Sequence, residues 1–146
     1  LGEWTVRRMV AEDYGDVLDL WERAGLASVR GRGRDSREAV RRQLRLDSSV
    51  FLVAEAEGRI VGVVLGSHDG RKGWISRLAV DPEFRRRGIA QDLILKVEEA
   101  LRKRGIRVFS ALILKANKPS QRLFTKMGYR GNPFILYVSK RLDEEA

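Results

Sequence analysis

Apolar positions recur along this chain with two different periods, and the switches between them predict alternating strands and helices. Glu3 to Met9 alternates as a first strand does. Tyr14, Val17, Leu18 and Trp21 then recur at i, i+3, i+4 and i+7, which predicts an amphipathic helix through Arg23 behind an Asp13 cap. A second helix is expected from Asp35 or Ser36, with Val40 and Leu44 one turn apart on its buried side. Between the two lies Arg30-Gly31-Arg32-Gly33-Arg34, a basic loop with flexible glycines.

Val50 to Ala56 and Arg59 to Ser67 read as buried strands joined at Glu57-Gly58, and His68 to Gly73 turns the chain into a strand from Trp74 to Asp81. Ala90, Leu93, Ile94, Val97 and Leu101 form one stripe of a helix that ends near Gly105. Ile106 to Leu114 is the next expected strand. Asn117 caps a short helix that carries Pro119 in its first turn and stops at Gly128, and Phe134 to Ser139 closes the sheet. The pattern predicts one mixed α/β domain over residues 1–146, without repeats or long linkers, built on a strand-helix-strand unit from Trp74 to Leu114.

Composition narrows the partners more than the fold. The 146 residues are 43% hydrophobic, enough for a core, and contain no cysteine, so disulfides and thiol nucleophiles are excluded. No stretch resembles a signal peptide or a membrane span, so a cytoplasmic protein is expected, with no membrane partner and no metal. A net charge of +9, carried by 22 arginines and 7 lysines, favours a phosphate-bearing or acidic partner. Nucleic acid is not required, because the aromatic residues are not interleaved with basic ones as on a stacking platform.

The candidate chemistry centres on Arg85-Arg86-Arg87-Gly88-Ile89-Ala90. Pro82 ends a strand, and Gly88 and Ala90 lack bulk, so the backbone can pass close to a ligand before entering a helix. The first-turn N–H groups of that helix have no internal partners and attract an anion. Taken alone, the hexapeptide fits a solvated basic loop as well as a pyrophosphate cradle.

The strand, the Arg85-x-x-Gly88-x-Ala90 pattern and the helix after it resemble motif A of the GNAT N-acetyltransferases. Asn117-Lys118-Pro119-Ser120-Gln121-Arg122-Leu123-Phe124-Thr125-Lys126-Met127-Gly128-Tyr129 is similar to their motif B. The order of elements matches that family over essentially the whole chain. The chain resembles most its small bacterial and archaeal members, among them the ribosomal-protein alanine acetyltransferases and the YpeA group, and Leu20-Trp21-Glu22-Arg23, Phe51-Leu52-Val53-Ala54-Glu55, Asp69-Gly70 and Pro82-Glu83-Phe84-Arg85 look like the YpeA group. The resemblance implies a mostly antiparallel, twisted sheet of six to seven strands with a splayed central pair, flanked by about four helices. It also implies acetyl-CoA as co-substrate and direct acetyl transfer to a primary amine: a protein N-terminus, a lysine or a small molecule.

Carried over residue by residue, the resemblance assigns Leu78, Ala79 and Val80 to the thioester and pantetheine through their backbone. The Leu78 N–H then faces the developing oxyanion. Arg85, Arg86, Arg87, Gly88, Ile89, Ala90 and Gln91 would hold the pyrophosphate, with Asn117, Ser120 and Phe124 beside the pantetheine. Arg30, Arg32 and Arg34 border the acceptor site, which suits an acidic or ribosome-associated acceptor. The chain departs from the family at Phe124, where a tyrosine often stands, and at Ser76 and Arg77, where other members place a carboxylate or tyrosine. No general base is evident, and Tyr129, Glu83 and Tyr137 remain the candidates, while His68 reads as a surface residue of a turn. The alternatives are a catalytically weak CoA-binding sensor and a basic RNA- or ribosome-associated module, and a monomer or homodimer is expected whichever holds.

Overall fold

A computed structural model describes residues 3–26 and 31–146. Five strands form one sheet in the order β1-β2-β3-β4-β5, comprising β1 (Thr5–Arg8), β2 (Ser49–Ala56), β3 (Arg59–His68), β4 (Gly73–Val80) and β5 (Phe109–Ala111). The first four pair antiparallel, and β5 joins β4 in parallel after a helical crossover. Four α-helices accompany the sheet among the described residues: α1 (Tyr14–Arg23), α2 (Arg37–Gln43), α3 (Ile89–Lys103) and α4 (Lys118–Lys126).

The strand alternation sorts the core into two layers. Val50, Leu52 and Ala54 of β2 point to one face and pack with Ile89, Leu93, Ile94, Val97 and Leu101 of α3 and Phe124 of α4. Phe51 and Val53 point to the other and pack with Val17, Leu20 and Trp21 of α1 and Val40 of α2. A strand covered on both faces reads as a continuous apolar run, which is how Val50 to Ala54 appears in the sequence.

Helix α3 lies directly against β3 because that strand presents glycines beneath it. A Cβ at Gly66 would stand 2.5 Å from Val97 Cγ1, and one at Gly62 would stand 2.9 Å from Ile89 Cγ2 and 3.0 Å from Leu93 Cδ1. Neither contact has room for a methyl group. This close seat brings the N-terminus of α3 beside the end of β4.

Several expectations are corrected. Among the described residues the sheet has five strands, not six to seven. Phe134 to Ser139 forms no strand: the Asn132 side chain accepts the Phe134 N–H at 2.9 Å in a turn that contains Pro133, and the apolar run beyond it lies in solvent, Phe134 being 92% exposed. Strand composition makes no ladder without a partner edge. The strand expected over Ile106 to Leu114 shrinks to Phe109–Ala111, because the Ile106 N–H closes the end of α3 on the Leu101 carbonyl and buries that side chain. Asp13 does not cap α1; its carboxylate reaches back to the Val10 N–H at 2.8 Å and pairs with Arg7 at 2.8 Å. Helix α2 begins at Arg37, capped by Ser36, whose hydroxyl accepts the Ala39 N–H at 3.2 Å. Arg30 lies outside the described residues.

The glycine seat generates a stability prediction. Gly66→Ala should lower the unfolding free energy by about 1–3 kcal/mol through overpacking against Val97. Adding Val97→Ala should return part of that loss, so a double-mutant cycle in urea should give a coupling of roughly 0.5 kcal/mol or more. Additive effects would mean that α3 does not bear on Gly66.

Candidate functional site

Strand β4 is irregular where the sheet opens. Ala79 pairs with Val63 and Ser76 with Leu65, so two residues of β4, Arg77 and Leu78, stand opposite the single Val64 of β3. This is a β-bulge, and Arg77 occupies the left-handed region at φ +53°. A non-glycine residue there costs about 1–2 kcal/mol unless its surroundings hold it. They do so through three groups. The Asp35 carboxylate accepts from Arg77 Nε and Nη2, each at 3.0 Å, and the Trp21 indole N–H donates to the Arg77 carbonyl at 3.3 Å. Tyr14 in turn donates its hydroxyl to the Asp35 carbonyl.

On its other edge β4 parts from β5. Their pairing ends at Ile75↔Ala111, whereas β4 continues to Val80. The expected splay of a central pair is thus replaced by a short ladder between β4 and the edge strand β5. The Asp81 N–H reaches the Val61 carbonyl on β3 at 2.8 Å. Beyond the bulge, backbone groups alternate between strand edges, so Ala79 also addresses β3, while Val80 addresses the open fork.

Below the fork the chain turns into α3. Asp81, only 3% exposed, accepts the Glu83 N–H at 2.9 Å and pairs with Arg23 at 3.2 Å, starting a short 3-10 turn over Pro82–Phe84. Arg86 at φ +65° and Gly88 at φ +97° then bend the backbone into the helix. The first ladder bond of α3 runs from the Asp92 N–H to the Gly88 carbonyl, which leaves the N–H groups of Ile89, Ala90 and Gln91 without helical partners. A Cβ at Gly88 would meet only Trp4, at 3.8 Å, so the approach over this turn is open. Asp92 is the one acidic residue in the first turn. It is offset by Lys96 at 2.8 Å and by the Trp4 indole N–H at 2.9 Å.

The three arginines of the cradle differ. Arg85 donates to the Ala24 carbonyl at 3.3 Å. Arg87 donates to the Glu83 carbonyl at 3.3 Å and lies over the Phe84 ring, 4.7 Å from its centroid. Arg86 is exposed and makes no side-chain hydrogen bond among the described residues.

In α4 the Asn117 side chain accepts the Ser120 N–H at 3.2 Å, so its position is set by capping. Phe124 is 5% exposed, packed edge-on against Tyr129 with centroids 4.9 Å apart. Its ring therefore lies in the core layer shared with α3.

The remaining candidates are scattered. Tyr129 donates its hydroxyl to Glu98, and burial together with that carboxylate holds its proton far above the usual tyrosine range. Glu83 is exposed and pairs with Arg59 at 3.2 Å, and Tyr137 stands in the exposed C-terminal run. His68 accepts the Gly70 N–H at 3.0 Å within its turn. Arg32 pairs with Glu145 at 3.2 Å. Sequence reasoning missed Asp35 and Trp21, because a loop carboxylate and a core indole acquire meaning only when folding sets them on Arg77. Among the described residues no helix is long and apolar enough to cross a membrane, and no three metal-ligating side chains gather.

The fold recurs in solved structures. AAC(6')-Iy, in complex with the bisubstrate analogue CoA-S-monomethyl-acetylneamine, is 20% identical with a TM-score of 0.79, covering 95% of this chain and 99% of that one. The PaiA N-acetyltransferase of Thermoplasma acidophilum, in complex with coenzyme A, is 19% identical with a TM-score of 0.76 over 88% and 90%. An aminoglycoside acetyltransferase, HMB0005, from an uncultured soil metagenomic sample is 25% identical with a TM-score of 0.75 over 97% and 99%. Residues 15–129, which include the bulge, the fork, the arginine-glycine turn and α4, match the model of the acetyltransferase (GNAT) family, and the chain belongs to that family.

Proposed function

We propose that this chain acts as one catalytic domain that transfers the acetyl group of acetyl-CoA directly to a primary amine. The observation that carries the reading is the opening of β4 from β5 immediately beside the unpartnered N–H groups that start α3. Two similar proteins are described with CoA or a CoA-bearing bisubstrate analogue, which supports the same co-substrate here.

The residues fit acetyl-CoA. The N–H groups of Ile89, Ala90 and Gln91 supply donors for a pyrophosphate, the absent side chain of Gly88 gives it access, and Arg85, Arg86 and Arg87 add positive charge. Leu78 and Val80 would offer the pantetheine free backbone groups at the edge of β4, Ala79 between them being paired with Val63 of β3, and Asn117 and Ser120 at the start of α4 would lie beside the pantetheine. When bound, acetyl-CoA supplies an acetyl group activated as a thioester. The Leu78 N–H, fixed before the reaction begins, stabilises negative charge arising on the acetyl oxygen. Holding amine and acetyl group together removes much of the entropic barrier.

The acceptor must arrive as a neutral amine. With Tyr129 committed to Glu98 and Glu83 to Arg59, the reading favours an α-amine, whose pKa of roughly 7.7–8.0 demands less help than the lysine value of about 10.4. The sequence likeness to ribosomal-protein alanine acetyltransferases and the YpeA group agrees with a cytoplasmic protein that modifies such an amine. Arg32 and Arg34, together with Arg30, suit an acceptor with nearby carboxylates or phosphates. Phe124 and the committed Tyr129 favour a second reading, a CoA-binding sensor with little turnover.

Three outcomes follow from these assignments. Calorimetric titration should give micromolar acetyl-CoA binding, weakened by about tenfold or more in folded Gly88→Glu, which sets bulk and negative charge against the phosphates. Absence of binding to the native chain would sink the reading, and binding without turnover on an amine panel would favour the sensor. Tyr129→Phe should keep the pH dependence of kcat/KM within about twofold from pH 6 to 9, since the hydroxyl stays protonated throughout that window. Loss of the alkaline rise in that variant would restore Tyr129 as the base. Joint replacement of Arg30, Arg32 and Arg34 by Gln should raise the acceptor KM by about three- to tenfold while the acetyl-CoA KM stays nearly constant. Unchanged acceptor kinetics would remove the loop from recognition.

A further inference from the structure

We infer that Trp21 and Asp35 are positioning residues that aim the Leu78 N–H by clamping Arg77, an inference that rests on the transferase reading above. A trans peptide is planar, with its carbonyl and N–H pointing in opposite directions. The peptide joining Arg77 to Leu78 is held at its carbonyl end by the Trp21 indole N–H at 3.3 Å. Trp21 is wholly buried in the core layer beneath α1, so it forms a fixed anchor. The N–H end of the same peptide is therefore directed away from α1. The Leu78 side chain packs in the opposite layer, with α3.

The clamp has a second jaw. Arg77 at φ +53° holds a conformation that suits glycine better, in a bulge where glycine is the usual occupant. Two parallel bonds from its guanidinium to Asp35, at 3.0 Å each, oppose relaxation of that residue. Asp35 is itself buried and ends the 3-10 turn Gly33–Asp35. The Tyr14 hydroxyl anchors its carbonyl. The segment carrying Arg32 and Arg34 is thus tied, through one ion pair, to the peptide that presents the oxyanion donor. Unclamped, the Arg77–Leu78 peptide can rotate, and a donor misaligned by tens of degrees loses most of its bond to developing charge.

The test uses the full chain with Trp21→Phe, which keeps an aromatic ring and removes the N–H. Thermal midpoint, acetyl-CoA affinity, kcat and KM are measured, together with the Leu78 amide resonance of the free protein. The expected result is a shifted Leu78 amide, acetyl-CoA affinity within about twofold of wild type, and kcat lowered by roughly five- to twentyfold at saturating substrates. A structural role alone would lower the folded fraction without separating kcat from KM. Should Trp21→Phe fail to fold, Asp35→Ala with Arg77→Gly removes both charges together and gives the left-handed position to glycine. Its kcat should fall with little loss of acetyl-CoA affinity. A Leu78 amide unmoved by loss of the indole N–H, or kcat preserved in both variants, overturns the clamp. A shifted amide in a protein that binds acetyl-CoA yet acetylates no amine overturns the transferase reading and leaves the clamp geometry standing.

Discussion

The close approach of α3 to β3 is the constraint on which the rest of the structure depends. Gly62 and Gly66 leave the strand surface bare, and Ile89, Leu93 and Val97 occupy the space that side chains would fill. Were that space filled, α3 would be lifted from the sheet and its first turn moved with it. The N-terminus of α3 needs this placement, because donors without helical partners are useful only where a ligand can reach them and the sheet can also contact that ligand. Packing in the α3 layer thus sets the distance between the two halves of the site, the cradle at Gly88 and the open edge of β4.

Strand β4 meets two conflicting demands. As an interior strand it must pair with β3, and as a ligand-facing edge it must leave N–H groups free. The structure resolves this by position: pairing with β5 is confined to Gly73–Ile75, and the bulge at Arg77 and Leu78 interrupts pairing with β3 just beyond. Unsatisfied backbone groups are tolerated there because the fork is open to solvent or ligand. The bulge carries conformational strain, which the bidentate Asp35–Arg77 pair and the Trp21 bond offset.

What the sequence reveals follows from the range of the interactions involved. Helices α1 and α3 and strands β2 and β3 were legible because period and turn chemistry are local: the stripe from Leu93 to Leu101 and the Glu57-Gly58 turn carry their own evidence. The turn from Arg85 to Ala90 was legible through its spacing, and the family model covers it. The length of β5 was not, since residues 106–114 remain apolar whether they pair or not, and the end of the ladder is decided where β4 diverges. Phe134 to Ser139 misled for the same reason. Asp35 and Arg77 are far apart in sequence, and nothing local marks them as partners. The core position of Phe124 and the bond from Tyr129 to Glu98 likewise arise only when α4 packs against α3.

The distribution of arginine bears on how the charge of the chain can act. Arg23, Arg59 and Arg77 are paired with carboxylates, so their local fields are largely cancelled. Arg85 and Arg87 donate instead to backbone carbonyls. A carbonyl orients a guanidinium without neutralising it, so both arginines keep their full charge while losing conformational freedom. Beside them Arg86 remains unengaged on a left-handed turn. The edge of the cradle therefore combines two positive charges oriented by backbone carbonyls with one that makes no side-chain hydrogen bond among the described residues. The oriented pair raises the local potential that draws in a polyanion, and the third side chain keeps its donors for it. An all-paired rim would lose the attraction, and an all-mobile rim would pay more side-chain entropy on binding. Specific contact with phosphate then falls to the backbone of Ile89, Ala90 and Gln91, whose donors are already in place.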